Sequence, residues 1–470
     1  MLHLLIYFLL CYIYIMNNTK LNSLGIEIPS ILMPKMTDLS KWSVIACDQY
    51  TQDRDYWEKA KAFTRGEPST LNMIFPEVFL SDDDPSSSNN ASSRIADIHS
   101  TMKRYLQDGV FRDPLKGFMY IERDTPYQKK RRGLVAAIDL EKYDWHPDAR
   151  PLIRCTEGTV PERLPPRCNI RRGAPIEFPH VLLLIDDEKD FLLPALGENV
   201  KNKTPCYSTQ LMMNSGSVTG WFIDDEKNIS LIEETLEDLR QRSVNRYDKT
   251  ADMNPFLFAV GDGNHSLAAA KEIWEEYKAK NKEQGAENGE EGTYLSHPCR
   301  YALVEIENIY DPAILFEPIH RLVFNIGFDK IVSLLSVLPD FSCRNAESAE
   351  KLSQECAKPF TGNRFGIISE GRYALIETSA SGISTACLQP LLDSFAGNNP
   401  QLIDYIHDEK ELFRLADVDL KGKATGIILP PVQKSGLFET VARTGPLPRK
   451  SFSMGHSCEK RFYMEGRRLF

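Results

Sequence analysis

One segment constrains the fold of this 470-residue chain more than any other: residues 255–277, PFLFAVGDGNHSLAAAKEIWEEY. The apolar run 255–260 is typical of a buried strand, and the spacing of apolar residues over 267–280 predicts a long helix. Between them lies a short turn with two glycines, Gly261 and Gly263. Glycines permit a tight turn and a close approach of the backbone to a ligand. The segment therefore predicts a strand that runs directly into a helix.

The polar residues of this turn make it a candidate anion site. N–H groups at the start of a helix, together with the positive end of its dipole, attract anions. Asn264 or Ser266 can cap the helix. His265 can donate to a phosphate or relay a proton, and Asp262 can accept a proton or bind a metal. The alternative is an ordinary capped turn, but an acid, an amide, an imidazole and a hydroxyl between two apolar elements favour a functional site. The pattern is neither a Walker A motif nor a complete Gly-x-Gly-x-x-Gly motif.

Composition excludes several classes of protein. Hydrophobic residues make up 42% of the chain and charged residues 26%, as in ordinary globular proteins and unlike disordered ones. A mean hydropathy of −0.34 argues against a membrane protein with several spans. The formal net charge of −10 lacks the basic footprint of nucleic-acid binding, so no nucleic-acid partner is expected.

The N-terminus is the one strongly apolar stretch. Residues 1–15, MLHLLIYFLLCYIYI, fall short of the ~20 residues that span a bilayer. They also lack the basic region and the small-residue cleavage site of a signal peptide. Because Met16 and polar sequence follow at once, we expect Met16 to be the true start and no membrane association. A signal or anchor, and a buried helix, are the alternatives.

The ten cysteines are scattered and form no Cys-x-x-Cys pair. This spacing lacks the signatures of zinc ribbons and thioredoxin-like motifs. We expect reduced thiols in a cytoplasmic protein, and no metal site built from cysteine.

The pattern of apolar runs favours an α+β fold, since strands and helices mix without a regular βαβ repeat. Strands are predicted at 42–47, 134–140, 181–185, 255–260, 301–306 and 427–429. Helices are predicted at 55–63, 95–106, 231–242, 267–280, 328–338 and 345–357, and polar loops at 82–93 and 280–293.

A seam near 318–324 divides the chain into three predicted parts. These are an apolar leader or wrongly assigned start (1–15), an α+β core with the turn (16–324), and a C-terminal α+β part (325–470). Because dense motifs return at the extreme C-terminus, the last part is expected to pack back on the core.

Other clusters of polar residues are candidates for the same site. Arginines surround the sequence TEGT at 156–159, where Glu157 can serve as a base or a metal ligand. The alternative for that segment is a solvated loop stiffened by prolines. The remaining candidates follow strand-like sequence or lie in glycine-containing loops: Asp48, Gln49, His320, Arg321, Lys434 and Arg449. The alternative for His320 is a structural role inside the core. The alternative for Lys434 and Arg449 is that they belong to a basic surface loop without function.

The chain resembles the family catalogued as domain of unknown function 1015. The resemblance is carried by WSVIACDQYT (42–51), RCTEGTVPERLPPR (154–167), FPHVLLLIDD (178–187), AVGDGNHSLAAAK (259–271), FEPIHR (316–321) and LPRKSFSMG (447–455), and it extends over about residues 26–467. The Asp-Gly-x-His turn is also similar to the phosphate-binding turn of the ParB/sulfiredoxin-like group. That likeness implies a mixed-sheet core of ParB/sulfiredoxin-like character with additional α+β segments.

The turn departs from its relatives in two positions. Many of them read Asp-Gly-His-His-Arg, whereas this chain has Asn264 and Ser266 in place of the first histidine and the arginine. A basic residue from elsewhere in the chain would have to replace that arginine. The turn also contains no cysteine, and sulfiredoxin chemistry needs a nucleophilic thiolate.

The likeness implies a nucleotide, ATP or ADP with Mg²⁺, and a kinase of a small hydroxylated metabolite similar to the free-serine kinases. Catalytic roles would fall to Asp262, His265 and Glu157. Nucleotide or phosphate would be bound by Gly261, Gly263, Asn264, Ser266, Arg154, Thr156, Arg163, Arg167, Lys434 and Arg449. The alternative is a non-catalytic nucleotide-binding regulator of ParB-like type, and a DNA-partition protein is disfavoured by the net charge.

Overall fold

The computed structural model describes residues 20–35, 37–51, 53–80, 90–127, 130–247, 255–288 and 293–470. These residues form two compact units. The first contains the described residues up to Cys155, then 159–314 and 456–470, and the second contains 156–158 and 315–455. The predicted leader 1–15 lies outside the described residues.

The first unit is built on one large mixed sheet. Its ten strands are β1 (Ile26–Glu27), β2 (Phe118–Asp124), β3 (Arg131–Asp139), β4 (Tyr143–Asp144), β5 (Ile153–Cys155), β6 (Leu182–Ile185), β7 (Tyr207–Gln210), β8 (Ser217–Ile223), β9 (Phe258–Asp262) and β10 (Tyr301–Asn308). The order is β7-β8-β2-β3-β10-β6-β9-β5-β4, with β1 on β3. The pairs β6/β10, β5/β9 and β4/β5 are parallel, and the others are antiparallel. The predicted α+β class is confirmed.

The helices of the first unit are α1 (Leu39–Trp42), α2 (Arg54–Phe63), α3 (Ala91–Gln107), α4 (Leu164–Arg171), α5 (Leu192–Val200), α6 (Glu226–Tyr247) and α7 (Asn264–Asn288). Strand β6 is buried along its whole length, as its unbroken apolar sequence predicts for a central strand. Trp42, Trp57 and Trp274 are buried in the same core.

The second unit has its own antiparallel sheet and core. Its strands are β11 (His320–Phe324), β12 (Ser342–Asn345), β13 (Asn363–Ser369), β14 (Arg372–Thr378), β15 (Ile403–Ile406) and β16 (Ala424–Ile428), in the order β12-β14-β13-β16-β11-β15. Its helices are α8 (Phe328–Leu335), α9 (Ala349–Ala357), α10 (Ser384–Ala396), α11 (Glu409–Phe413) and α12 (Leu437–Thr444).

Short two-stranded ladders attach the end of the chain to the first unit. Phe462–Tyr463 pairs with Val44–Ile45, and Arg467–Arg468 pairs with Ile176–Glu177. The sequence placed a division at 325 and kept 325–470 together. In the structure, the chain passes from the first unit to the second between Ile314 and Leu315. Residues 456–470, which include the two ladder strands 462–463 and 467–468, belong to the first unit.

Three predicted elements differ from the structure. The predicted loop 280–293 is wrong as far as Asn288, because α7 continues through residues of high helix propensity that outweigh one glycine. The predicted strand 42–47 shrinks to Val44–Ile45, since Asp38 caps a short helix that includes Trp42. The predicted helix 345–357 begins only at Ala349, where the Ser348 hydroxyl accepts the N–H of Lys351.

Within the part of the chain that the structure describes, no helix combines the length and apolar character needed to cross a bilayer.

Candidate functional site

The turn between β9 and α7 is a single residue. Strand β9 ends at Asp262 and α7 begins at Asn264, with Gly263 between them. Gly263 has a φ of +81°, and a Cβ there would lie 3.1 Å from the Cα of Val181. Both the left-handed backbone and the close neighbour require glycine. The predicted strand–turn–helix is confirmed.

The start of α7 presents backbone donors. The first helical hydrogen bond runs from the Leu267 N–H to the Gly263 carbonyl at 3.0 Å. The N–H groups of residues 264–266 therefore precede the helical ladder, at the positive end of a 25-residue helix. This is the arrangement on which helices bind anions.

The antiparallel register of β6 and β9 brings a histidine to this turn. Leu182 at the start of β6 lies opposite Asp262 at the end of β9. Residues just before β6 therefore lie beside residues just after β9. His180 is one of them, and its Nε2 lies 3.1 Å from the Ser266 Oγ.

The ladder between residues 44–45 and 462–463 brings two more segments to the same edge. The Cys47 N–H donates to the Tyr463 Oη at 3.0 Å, and that oxygen lies 2.8 Å from the His180 Nδ1. The next residue, Asp48, has its Oδ2 3.4 Å from the His180 Nε2. Its Oδ1 accepts a hydrogen bond from the Gln49 side chain at 3.0 Å.

A lysine from the C-terminal segment completes the cluster. The Lys460 Nζ lies 3.1 Å from the Asp262 Oδ2, and its side chain is 9% exposed. The other carboxylate oxygen of Asp262 accepts the Gly263 N–H at 3.0 Å. A nearly buried ammonium of the C-terminal segment therefore lies beside the Asp262 side of the turn. We call Asp48, His180, Asp262, Ser266 and Lys460 the turn cluster.

Charges in the turn cluster are paired. Burial alone would raise the pKa of Asp48, but the charge and hydrogen bond of His180 outweigh it and hold that pKa well below its usual range. Burial alone would lower the pKa of His180, but Asp48 and then Asp262 outweigh it and raise that pKa. These shifts favour the charged forms of both groups, an Asp48 carboxylate and a His180 imidazolium.

A second ion pair adjoins the segment of Asp48. The Glu77 N–H donates to the Cys47 carbonyl at 2.8 Å, and the Glu77 carboxylate pairs with Arg167. Burial raises the pKa of Glu77 although Arg167 opposes it. Arg167 thus brings a guanidinium close to the turn cluster.

Two other candidates of the first unit are Arg154 and Arg163. The Arg154 Nε donates to the Pro151 carbonyl at 3.0 Å, and its guanidinium lies 4.7 Å from the Phe256 ring. Phe256 precedes β9, whereas the turn follows it, so the structure does not bring Arg154 to the turn. Arg163 is exposed, and its carbonyl accepts from Arg167 at 2.7 Å.

His265 is engaged with the chain before α4. Its Nε2 accepts the Val160 N–H at 3.2 Å. A ring nitrogen that accepts a hydrogen bond cannot at the same time donate one. The role of a phosphate donor predicted for His265 would therefore require its Nδ1.

Six predicted residues belong to the second unit. Glu157 accepts the Ser451 N–H at 3.2 Å, and the Thr156 carbonyl accepts the Leu447 N–H at 2.7 Å. Lys434 begins a short 3-10 turn, and Arg449 is exposed. Their assignment to a site with the turn stays a prediction.

His320 and Arg321 are packed inside the second unit. The His320 Nδ1 accepts the Leu429 N–H at 3.1 Å, and burial lowers its pKa to about 4. Arg321 is fully buried, donates to the Gln389 side chain at 2.8 Å, and has its pKa lowered to about 10 by burial. His320 is thus neutral and serves as a buried acceptor.

Sequence reasoning missed His180, Lys460, Tyr463 and Glu77. His180 stands in the stretch FPHVLLLIDD immediately before a predicted strand. That position was the one available signal, because a residue before one strand can lie beside a residue after its antiparallel neighbour. Which strands are neighbours could not be read from the sequence.

One comparison with known proteins identifies a family. The model of a family described as "Protein of unknown function (DUF1015)" matches residues 31–395. No protein of the curated set matches the chain.

Solved structures give weak likenesses. A conserved hypothetical protein from Pyrococcus furiosus is 12% identical, with 70% of this chain and 90% of that chain covered and a TM-score of 0.32. A free serine kinase in complex with AMP is 12% identical, with 74% and 95% covered and a TM-score of 0.36. SbnI with a C-terminal truncation, from Staphylococcus aureus, is 8% identical, with 70% and 85% covered and a TM-score of 0.34. Likenesses at these scores transfer neither a fold nor an activity to this chain.

Proposed function

The chain belongs to the DUF1015 family, and for it we propose a nucleotide-dependent phosphotransferase, using ATP or ADP, that acts on a small hydroxylated metabolite. One observation carries the proposal: the start of α7, Lys460 and the Asp48–His180 pair meet at one edge of the sheet. Phosphoryl transfer needs positioned positive charge, a proton acceptor for the attacking hydroxyl, and in most enzymes Mg²⁺. The turn cluster offers groups suited to the first two needs.

The phosphate position would be the start of α7, as in the ParB/sulfiredoxin-like group that the turn resembles. The N–H groups of residues 264–266 would donate to phosphate oxygens, and Lys460 would take the role of the absent arginine. His180 would add a second positive charge when protonated, since its ring faces Ser266 and Asp48 raises its pKa. The two cations are balanced by Asp48 and Asp262, so a polyanionic ligand would share them with these carboxylates and would depend on the helix N-terminus as well.

The proton acceptor would be Asp48. Its carboxylate is held in the charged form by His180, and its side chain is 23% exposed, so a small hydroxyl compound has access to it. The substrate oxygen would attack the terminal phosphorus of the nucleotide while its proton passes to Asp48, and the shortened nucleotide would leave with the bridging oxygen. A protonated His180, no longer paired with a charged Asp48, could then pair with the transferred phosphoryl group. General bases contribute about 10²–10⁴-fold when their pKa lies near the working pH, and the lowered pKa of Asp48 would place its contribution at the low end of that range.

Mg²⁺ would have only one protein carboxylate here, because the described residues contain no group of three or more His, Cys, Asp or Glu side chains able to hold a metal ion. Mg²⁺ usually takes one or two carboxylates together with phosphate oxygens. Asp262 lies at the end of β9 with its side chain 21% exposed, and it would hold the ion beside the nucleotide. When bound, Mg²⁺ supplies charge neutralisation on the phosphates.

The test is nucleotide binding by the full chain. ATP, ADP, CTP and GTP, each with Mg²⁺, are added in a thermal-shift and calorimetry series. A ligand at 100 times its Kd stabilises a protein by about 2.7 kcal/mol. Lys460→Met should lower affinity at least tenfold, because one charge-assisted contact is worth about 1.5–3 kcal/mol.

The matched control is Lys227→Met, at an exposed lysine of α6, which should leave affinity unchanged. If no nucleotide binds, the phosphotransferase is ruled out. Binding without transfer of phosphate to any hydroxyl compound would instead favour a regulatory nucleotide-binding protein.

A further inference from the structure

An apolar cavity adjoins the turn cluster inside the first unit. Its volume is about 140 Å³. Its lining includes Ser266, His180 and Tyr463, which lie within hydrogen-bond distance in series. Arg167, Arg171 and Glu177 also line it, and most of the other lining residues are apolar, Met73, Met102 and Ala270 among them. The same side chains that surround the proposed reaction centre thus open onto apolar space.

The cavity exists because small residues line it. Ala269, Ala270 and Ala302 contribute to its wall, and all three are at most 3% exposed. Protein cores are close-packed, and an unfilled apolar volume of this size lowers stability. Larger side chains at these alanines would have filled the space. A ligand that binds in the cavity would explain why the fold keeps this space.

We propose that the hydroxylated substrate carries a compact aliphatic group, which enters this cavity while its hydroxyl lies at Ser266 and His180. The inference rests on the proposed function for the reaction and on the cavity for the substrate class. A polar wall beside an apolar chamber is complementary to a molecule with a hydroxyl at one end and a short carbon chain at the other. The substrate class is therefore a small aliphatic alcohol or hydroxy acid rather than a wholly polar one.

The cavity predicts a chain-length dependence of binding. Each methylene that moves from water into apolar space favours binding by about fourfold. Affinity should rise by that factor per added carbon until the cavity is full, and then stop rising. If only the hydroxyl were bound, at a surface site, affinity would not rise with the length of the carbon chain.

The experiment measures binding of butan-1-ol, pentan-1-ol and hexan-1-ol to the full chain without nucleotide, by ligand-observed NMR. Ala270→Val narrows the cavity and should remove the gain per carbon. The matched control Ala442→Val places the same change on α12 of the second unit and should leave the series intact.

A second variant guards against a folding defect in the first. Met102→Ala enlarges the cavity, so the longest alcohol should gain affinity relative to the shortest. Affinities that do not depend on chain length in the native protein, or that are unchanged in both cavity variants, overturn the inference. Because no nucleotide is present, this result is independent of whether nucleotide binds, and failure of the phosphotransferase would leave a measured alcohol site in place.

Discussion

At the scale of single residues, the Asp48–His180 pair sets the charge of the turn cluster. The two side chains lie 3.4 Å apart, and each shifts the pKa of the other towards its charged form. His180 is 6% exposed, so water screens the pair little on that side. Their interaction should be measurable as a pH dependence of stability.

We expect the pair to stabilise the fold most between about pH 4 and pH 6.5, the ordinary values of the two groups. The pKa of His180 is raised in the folded state, so its contribution is complete below about 6.5 and is lost as pH rises through the folded value. The pKa of Asp48 is lowered, so its contribution is present above about 3.9 and is lost as pH falls through the folded value.

His180→Gln should therefore cost about 1–3 kcal/mol in that window, and less above it. Urea denaturation from pH 4.5 to 9 measures the difference from the native chain. His146→Gln is the control, because His146 forms a similar contact with Asp144 at 2.6 Å but is 63% exposed. An exposed pair contributes about 0–1 kcal/mol. Equal losses in both variants at every pH would contradict the buried ion pair.

Gly263 is a second residue at which the structure predicts the effect of a substitution on stability. Alanine there would be strained by the φ of +81° and would press on Val181 at 3.1 Å. Gly66 has nearly the same φ, +83°, but nothing within 4 Å of the added Cβ. Gly66→Ala should lower the free energy of unfolding by about 1 kcal/mol. Gly263→Ala should lower it by about 1–3 kcal/mol more, because only at position 263 does the added Cβ crowd a neighbouring residue. Thermal denaturation compares them, and similar losses would show that Val181 moves aside.

At the scale of elements, the C-terminal segment is held by buried charges. The Arg461 guanidinium pairs with Glu305 on β10 and with Glu465, and these three side chains are at most 3% exposed. Arg467 pairs with Glu177 at 2.8 Å. These contacts carry Lys460 and Tyr463 to the turn. The segment is thus part of the site as well as of the fold.

Arg461→Met should destabilise the first unit by about 3–5 kcal/mol, because it leaves two buried carboxylates without their cation. Arg468→Met, at an exposed position in the same segment, should change stability by less than about 0.5 kcal/mol. Urea denaturation with a probe in the first unit, such as tryptophan fluorescence, measures both. A small loss in Arg461→Met would mean that Glu305 and Glu465 become protonated and adapt.

At the scale of the whole molecule, the two units have separate cores. Removing residues 456–470 deletes Lys460 and two short ladders from the first unit, while the second unit ends at Gly455. We expect hydrogen exchange to accelerate at β6 and β10 and to stay slow at β13 and β16. Exchange mass spectrometry of the full and shortened chains measures this. Equal loss of protection in both sheets would show that the units unfold as one.

The local amino-acid sequence was enough to predict one part of the structure. The strand, the glycine turn and the helix at 255–277 are encoded by neighbouring residues, through apolar runs, helical spacing and the need for a left-handed backbone. The α+β class and the family are also confirmed, since both depend on patterns along the chain. The end of α7 does not follow from the polarity of residues 280–288, because polar residues such as lysine and glutamate also have high helix propensity.

The site itself was decided by tertiary structure. His180 and Tyr463 are 283 positions apart, and Ser266 and His180 are 86 apart. They meet because β6 pairs with β9 so that Leu182 lies opposite Asp262, and because the last strands pair with residues 44–45 and 176–177. Strand pairing depends on which apolar faces pack together over long separations, and no local pattern records it. The sequence by itself therefore determined the turn, and only the folded sheet determined which cation, which histidine and which carboxylate stand beside it.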